Sequence, residues 1–157
     1  MNKMVSKGWK WSAGLIVLLF FLFYKIPVIQ LDFGESIYYL KKDNFRLKWI
    51  HSVEKEEWIE WYERQGQELL LTKTSFKTFG AGVPSSADEV RTEDGYVTMR
   101  VDKSFPEMNL TVSENAHTTI ESGGKNLLLY EFTEDYESVL ISVQYLHFWE
   151  YMGGESL

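Results

Sequence analysis

The chain has 157 residues, of which 45% are hydrophobic and 16% aromatic, with a net charge of −7 and no cysteine. Enough apolar material for a core argues against disorder, and the missing cysteine excludes disulfides and thiolate metal sites. The acidic balance argues against a nucleic-acid partner, because an acidic surface repels phosphates.

The charge is unevenly distributed along the chain. Residues 1–31 carry four lysines and no acidic residue, whereas residues 32–157 carry 12 basic and 23 acidic residues, a net charge of −11. Lys3, Lys7 and Lys10 precede an apolar stretch. The positive-inside rule therefore predicts a cytoplasmic N-terminus and an acidic body on the outer side of a membrane.

The first predicted element is a membrane anchor. Residues 11–24 are uncharged, and a membrane segment over residues 11–31 reaches spanning length if Lys25 extends its amine to the interface. A cleaved signal peptide is the alternative, although no pair of small residues marks a cleavage site, and a soluble core helix is a third reading. We predict a basic cytoplasmic tail at 1–10, a transmembrane signal anchor at 11–31, an extracytoplasmic β domain at 32–150 and a C-terminal tail at 151–157.

The strongest strand pattern follows the anchor. Alternation of Phe45, Leu47, Trp49 and His51 with polar residues predicts a half-buried strand over residues 45–53. Residues 56–65 fit either a helix face or an aromatic-rich strand.

We prefer a strand for residues 56–65, because a four-residue loop at 54–57 then pairs it with the preceding strand. In that register Lys48 faces Glu63, Ile50 faces Trp61 and His51 faces Glu60. Opposite charges and aromatic–aliphatic pairs across strands are stabilising.

Further short strands complete the predicted domain. They are expected at residues 37–40, 69–79, 96–101, 108–112, 118–121, 126–132 and 138–146, with a break at 80–86 and a loop at 87–94. Short strands separated by turn residues predict an all-β fold, an antiparallel sandwich or barrel-like domain behind one N-terminal transmembrane helix.

One polar pair is the main candidate for a site. If His51 faces Glu60 across the strands, the carboxylate orients the imidazole and favours its protonated form. Such a pair can contact a ligand or act as a base. The alternative is a structural pair that bridges two strands beneath Trp49 and Trp58.

Other motifs carry weaker signals. Gly80 and Gly82 predict either an anion-binding nest of backbone N–H groups or a bend that ends a strand. The three histidines show no short metal-ligand spacing, and Ser52 lacks a nucleophile-elbow motif, so we predict no metal, no cofactor and no catalytic residue.

Three segments carry a family resemblance. They are residues 49–55 (WIHSVEK), Trp58 with Glu60, and residues 76–84 (FKTFGAGVP). Together they resemble a bacterial family of unknown function, the domain-of-unknown-function family 1850. The positions matched to the family, here called the signature residues, are His51, Ser52, Glu54, Glu60, Gly80, Gly82 and Pro84.

The resemblance implies a transport-linked role. Family members look like small proteins with an N-terminal membrane segment, similar to proteins encoded beside permeases and solute-binding proteins of the TAXI-type tripartite ATP-independent periplasmic transporters. It implies an accessory or binding module with the membrane and a transporter subunit as partners, rather than an enzyme. The alternatives are an extracytoplasmic hydrolase using His51 and Glu60, or a structural envelope component.

Overall fold

A computed structural model describes residues 5–84 and 89–153 of the chain, with side chains described from Ser12 onward. Within these ranges the helices are α1 (Val5–Phe23) and α2 (Phe148–Gly153), with a 3-10 turn at Leu129–Glu131. The strands are β1 (Lys25–Asp32), β2 (Ile37–Leu40), β3 (Asn44–Ile50), β4 (Glu57–Gln65), β5 (Glu68–Phe76), β6 (Glu89–Glu93), β7 (Tyr96–Phe105), β8 (Glu107–Thr111), β9 (Thr119–Ser122), β10 (Lys125–Leu128) and β11 (Ser138–His147).

The predicted membrane segment is divided between a helix and a strand. The apolar helix α1 ends at Phe23 and strand β1 begins at Lys25, so residues 25–31 of the predicted segment form a strand. Pro27 cannot continue a helix, and the β-branched residues after it favour an extended chain. Within the described part of the chain, no helix combines the length and apolar composition required to cross a membrane.

The strands form two sheets. The smaller sheet has the order β2-β1-β11-β8, and the larger has the order β10-β9-β3-β4-β5-β7-β6. Every neighbouring pair of the larger sheet is antiparallel, as are β1 with β2 and β11 with β8. The prediction of an all-β antiparallel sandwich is confirmed.

The main core lies between the two sheets. Leu31 and Ile141 from the smaller sheet share one buried cluster with Phe45, Tyr62 and Leu69 from the larger sheet. Each such side chain contributes roughly 1.5–3 kcal/mol through apolar burial. A second cluster, here called the tryptophan cluster, consists of Trp58, Phe76, Val97 and Met99 with Trp49 and Val83 packed against it.

The pairing of β3 with β4 differs from the prediction by four residues. Trp49 pairs with Trp58, and Leu47 pairs with Glu60, which leaves residues 51–56 as the connecting loop. This register stacks the two indoles with 5.7 Å between ring centroids. It also brings Lys48 to 3.6 Å from Glu57, so aromatic stacking and ion pairing both favour the longer loop.

Two segments adopt structure that the sequence did not predict. Strand β6 forms where residues 87–94 were expected to be a loop, because pairing with β7 satisfies its backbone although every side chain is exposed. Residues 87 and 88 lie outside the described residues. Helix α2 spans the predicted boundary between the β domain, which was expected to end at residue 150, and the C-terminal tail. Residues 154–157 of that tail also lie outside the described part of the chain.

Candidate functional site

The predicted His51–Glu60 pair is wrong. His51 lies in the β3–β4 loop, where its ring stacks on Trp58 at 5.5 Å and its Nδ1 contacts a carboxylate oxygen of Glu54. Glu60 lies on β4 opposite Leu47, and its carboxylate accepts a hydrogen bond from the Tyr62 hydroxyl at 2.6 Å. A hydrolase that uses these two side chains together therefore has no support from the geometry.

His51 and Glu54 form a partly buried pair that packs on the β5–β6 loop. A Cβ atom added at Gly80 would overlap the Glu54 carboxylate. Gly80 therefore provides the space in which that carboxylate meets the imidazole. The backbone N–H groups of Val53 and Glu54 also point at Nδ1 of His51, at 3.3 and 3.4 Å.

The other signature residues of these two loops, Ser52, Gly82 and Pro84, do not take part in the contact between His51 and Glu54. Ser52 is exposed, and Gly82 has a φ of 87°, a conformation that favours glycine. Pro84 is half-buried and follows Val83, which packs on the tryptophan cluster. The cavity beside His51 and Glu54 has about 10 Å³, room for roughly one water molecule. These residues join two loops rather than surround a ligand-sized space.

The Gly80→Ala variant is expected to lose about 1–3 kcal/mol of unfolding free energy, because the new methyl group displaces Glu54 from His51. In a Glu54→Ala background the same change is expected to be nearly neutral. Urea denaturation of the four chains in this double-mutant cycle measures the coupling. Equal costs in both backgrounds would contradict a direct Gly80–Glu54 contact.

Glu60 instead faces an open cavity between the two sheets. The cavity has about 510 Å³, within the range of small-molecule pockets. Its apolar lining comes from Trp49 on β3, Phe105 on β7, and Met108 and Leu110 on β8. Because Pro106 alone separates β7 from β8, the chain crosses between the sheets at this cavity and contributes side chains to both walls.

The electrostatics of Glu60 are set by its surroundings. Burial raises the pKa of its carboxyl, and the hydrogen bond from Tyr62 partly opposes that rise. Burial also raises the pKa of the Tyr62 hydroxyl, with the neighbouring carboxylate as a second cause. Tyr62 therefore stays a hydrogen-bond donor, and Glu60 is a carboxyl group whose ionisation is costly. Perturbed carboxyls in cavities are enriched at functional sites.

The sequence analysis did not predict this cavity, although the sequence contains a signal for it. On a strand, Trp58, Glu60 and Tyr62 share one face because side chains alternate. A carboxylate between two inward-facing aromatics is unusual, since acids are rarely buried without a partner. The contributions of Phe105, Met108 and Leu110 had no sequence signal, because they depend on how the sheets pack.

Glu60→Gln is expected to stabilise the protein increasingly as pH rises. The raised pKa means that the native state holds its proton more tightly than the unfolded state. Above the ordinary pKa of 4.5, the wild type therefore loses stability with rising pH, by up to about 1.4 kcal/mol per pH unit, until the native carboxyl ionises. The Glu60→Gln variant does not lose stability in this way, because its amide side chain does not ionise.

Urea denaturation of both chains at a series of pH values from about 4 to about 8 measures this difference in unfolding free energy. The matched control is Glu63→Gln, an exposed acid on the same strand. Parallel stability curves for wild type and Glu60→Gln would contradict the proposed environment of Glu60.

No group of three or more His, Asp or Glu side chains with metal-binding geometry occurs in the ranges that the structure describes. The ring of His51, the histidine among the signature residues, stacks on Trp58, and its Nδ1 contacts Glu54. The arrangement at Glu60 can accept hydrogen bonds from a small molecule that has an apolar body.

Fold and site together define a small antiparallel β sandwich with a ligand-sized cavity between its sheets. The chain belongs to the family described as a domain of unknown function (DUF1850), whose profile matches residues 45–129, and the predicted membership is confirmed. This region contains every residue that lines the Glu60 cavity. No curated protein and no solved structure matches the chain.

Proposed function

We propose that the chain is a binding module that takes up a small solute in the Glu60 cavity and serves a solute transporter at the membrane surface. The observation that carries the proposal is the open cavity of about 510 Å³ with a single hydrogen-bonded carboxyl among aromatic and aliphatic side chains. Concave, mostly apolar sites with few polar groups are typical of small-molecule binding.

Solute binding is tested by thermal melts of the full chain with a panel of candidate solutes. The matched variant is Ala116→Leu, which narrows the cavity without changing its charge. Solutes that bind there are expected to raise the melting temperature of the wild type and not that of the variant, because binding to the native state stabilises it. Shifts of equal size in both chains would place the binding elsewhere.

Membrane attachment by α1 is the second part of the proposal. Its large apolar side chains Leu15, Leu18, Phe20 and Phe23 are all more than 50% exposed. A large exposed apolar surface is typical of a membrane or protein contact. With lysines at positions 3, 7 and 10 ahead of this surface, we place the N-terminus in the cytoplasm and the sandwich on the outer face.

Vesicle flotation tests the attachment. The full chain is expected to float with vesicles of phosphatidylethanolamine and phosphatidylglycerol, whereas replacing Leu15, Leu18 and Leu22 by Gln is expected to leave it in the dense fractions. Phe79→Gln removes an exposed apolar side chain outside α1 and is the control. Flotation of the triple variant at the wild-type level would contradict attachment through α1.

The transporter link is supported by the resemblance to proteins encoded beside transporter genes. Affinity purification of the full chain from its own membranes is expected to recover a permease or solute-binding protein of the TAXI-type class. The α1 triple variant is the control for recovery that depends only on lipid. Recovery of the chain alone would count against an accessory role.

A further inference from the structure

The Glu60 cavity has an unbalanced negative charge. Its described lining includes two acidic residues, Glu60 and Glu107, and neither a lysine nor an arginine. Elsewhere on the larger sheet, partly buried acids have basic partners: Glu121 contacts Arg46, and also Lys48 at 3.1 Å. Glu60 differs because the partner of its carboxylate among the described residues is the neutral hydroxyl of Tyr62.

We infer that this cavity binds an organic cation, a protonated amine carried on an aromatic or aliphatic body. The inference rests on the proposed solute-binding function and names its ligand class. Tyr62 donates to Oε2 of Glu60, and the second carboxylate oxygen is the acceptor for an ammonium N–H group. Charge-assisted hydrogen bonds of this kind are roughly twice as strong as neutral ones.

The remaining walls suit the body of such a ligand. Trp49 supplies an indole, the ring that attracts cations most strongly, and Phe105, Met108 and Leu110 supply apolar contacts. An anionic ligand would meet two carboxylates instead. A neutral ligand could donate a hydrogen bond to Glu60, but it would leave the negative charge of that partly buried carboxylate without a counter-charge.

The acidity of the domain favours the same ligand class. Residues 32–157 carry a net charge of −11, and a field of that sign raises the local concentration of cations and lowers that of anions. Binding is also expected to weaken at acidic pH, because protonation of Glu60 removes the charge that pairs with the ammonium group. Glu107 and Tyr62 are the other titratable groups that line the cavity.

The test uses the full chain in non-ionic detergent and three probes of similar shape: benzylammonium, benzyl alcohol and benzoate. Titration calorimetry at neutral pH is expected to show benzylammonium binding about tenfold or more tightly than the other two probes. Glu60→Gln is expected to remove that preference, and Glu63→Gln, the exposed control on β4, is expected to keep it.

Ala116→Leu separates failure of the inference from failure of the proposed function. If the three probes bind equally well, if Glu60→Gln changes nothing and if Ala116→Leu weakens all of them, the cavity binds solutes but the cation assignment is overturned. If no probe binds the wild type, or if Ala116→Leu leaves binding unchanged, the cavity is not the binding site and both proposals are overturned.

Discussion

A chain that begins at Phe33 is expected to lose cooperative unfolding, whereas one that begins at Lys25 is expected to retain it. The shorter chain lacks β1, which lies between β2 and β11 in the smaller sheet. It also lacks Val28, Ile29 and Leu31, which are 3%, 0% and 0% exposed. Removing one such side chain typically costs about 2–5 kcal/mol, and the total stability of a domain is about 5–15 kcal/mol.

Thermal melts followed by circular dichroism, together with amide dispersion in NMR spectra, measure the outcome. A point variant gives a graded version: Leu31→Ala is expected to cost about 2–5 kcal/mol, and Gln30→Ala, on the other face of β1, less than about 1 kcal/mol. A folded chain from Phe33 would show that β1 is dispensable, and residues 25–31 would then be free to belong to an anchor.

Trp58→Ala is expected to cost about 3–5 kcal/mol of unfolding free energy. The indole is 5% exposed, stacks on Trp49 and on His51, and lies 4.9 Å from the ring of Phe76. Its Nε1–H donates to the buried hydroxyl of Thr74 at 2.6 Å. Its loss therefore opens a cavity and leaves a buried polar group without its donor.

Trp58→Phe separates these two contributions. It keeps an aromatic ring but removes the donor, so it is expected to cost about 1–3 kcal/mol through the unpaired Thr74 hydroxyl. Adding Thr74→Val removes that hydroxyl and is expected to recover part of the loss. Urea denaturation of the single and double variants measures this; a double variant that loses the sum of both single costs would contradict the assignment.

Most strands could be predicted because their side chains alternate. Ile37–Leu40 matches its predicted bounds, and β4 differs from prediction by one residue. Strand β1 was missed because a strand with a buried, continuous apolar run has the same composition as the end of a membrane segment. Strand β6 was missed because its exposed, polar side chains carry no pattern, and only the backbone of β7 holds it in place.

The candidate site was predictable only in part. The sequence placed Glu60 among the signature residues, and alternation puts it on an inward face. Its supposed partner depended on the β3–β4 register, and the preference for a short connecting loop gave a register four residues away from the observed one. The stacked tryptophan pair and the Lys48–Glu57 ion pair both favour the observed register, and neither contact can be identified until the two strands are placed side by side.

Strand β6 has a consequence for the behaviour of the protein at high concentration. It forms one edge of the seven-stranded sheet, where an open row of backbone groups can template the addition of further chains. Its exposed residues Glu89, Arg91 and Glu93 place charges along this edge. A neighbouring copy that docked there in an amyloid-like stack would bring like charges together, so the polar strand that carried no sequence pattern protects the fold against aggregation.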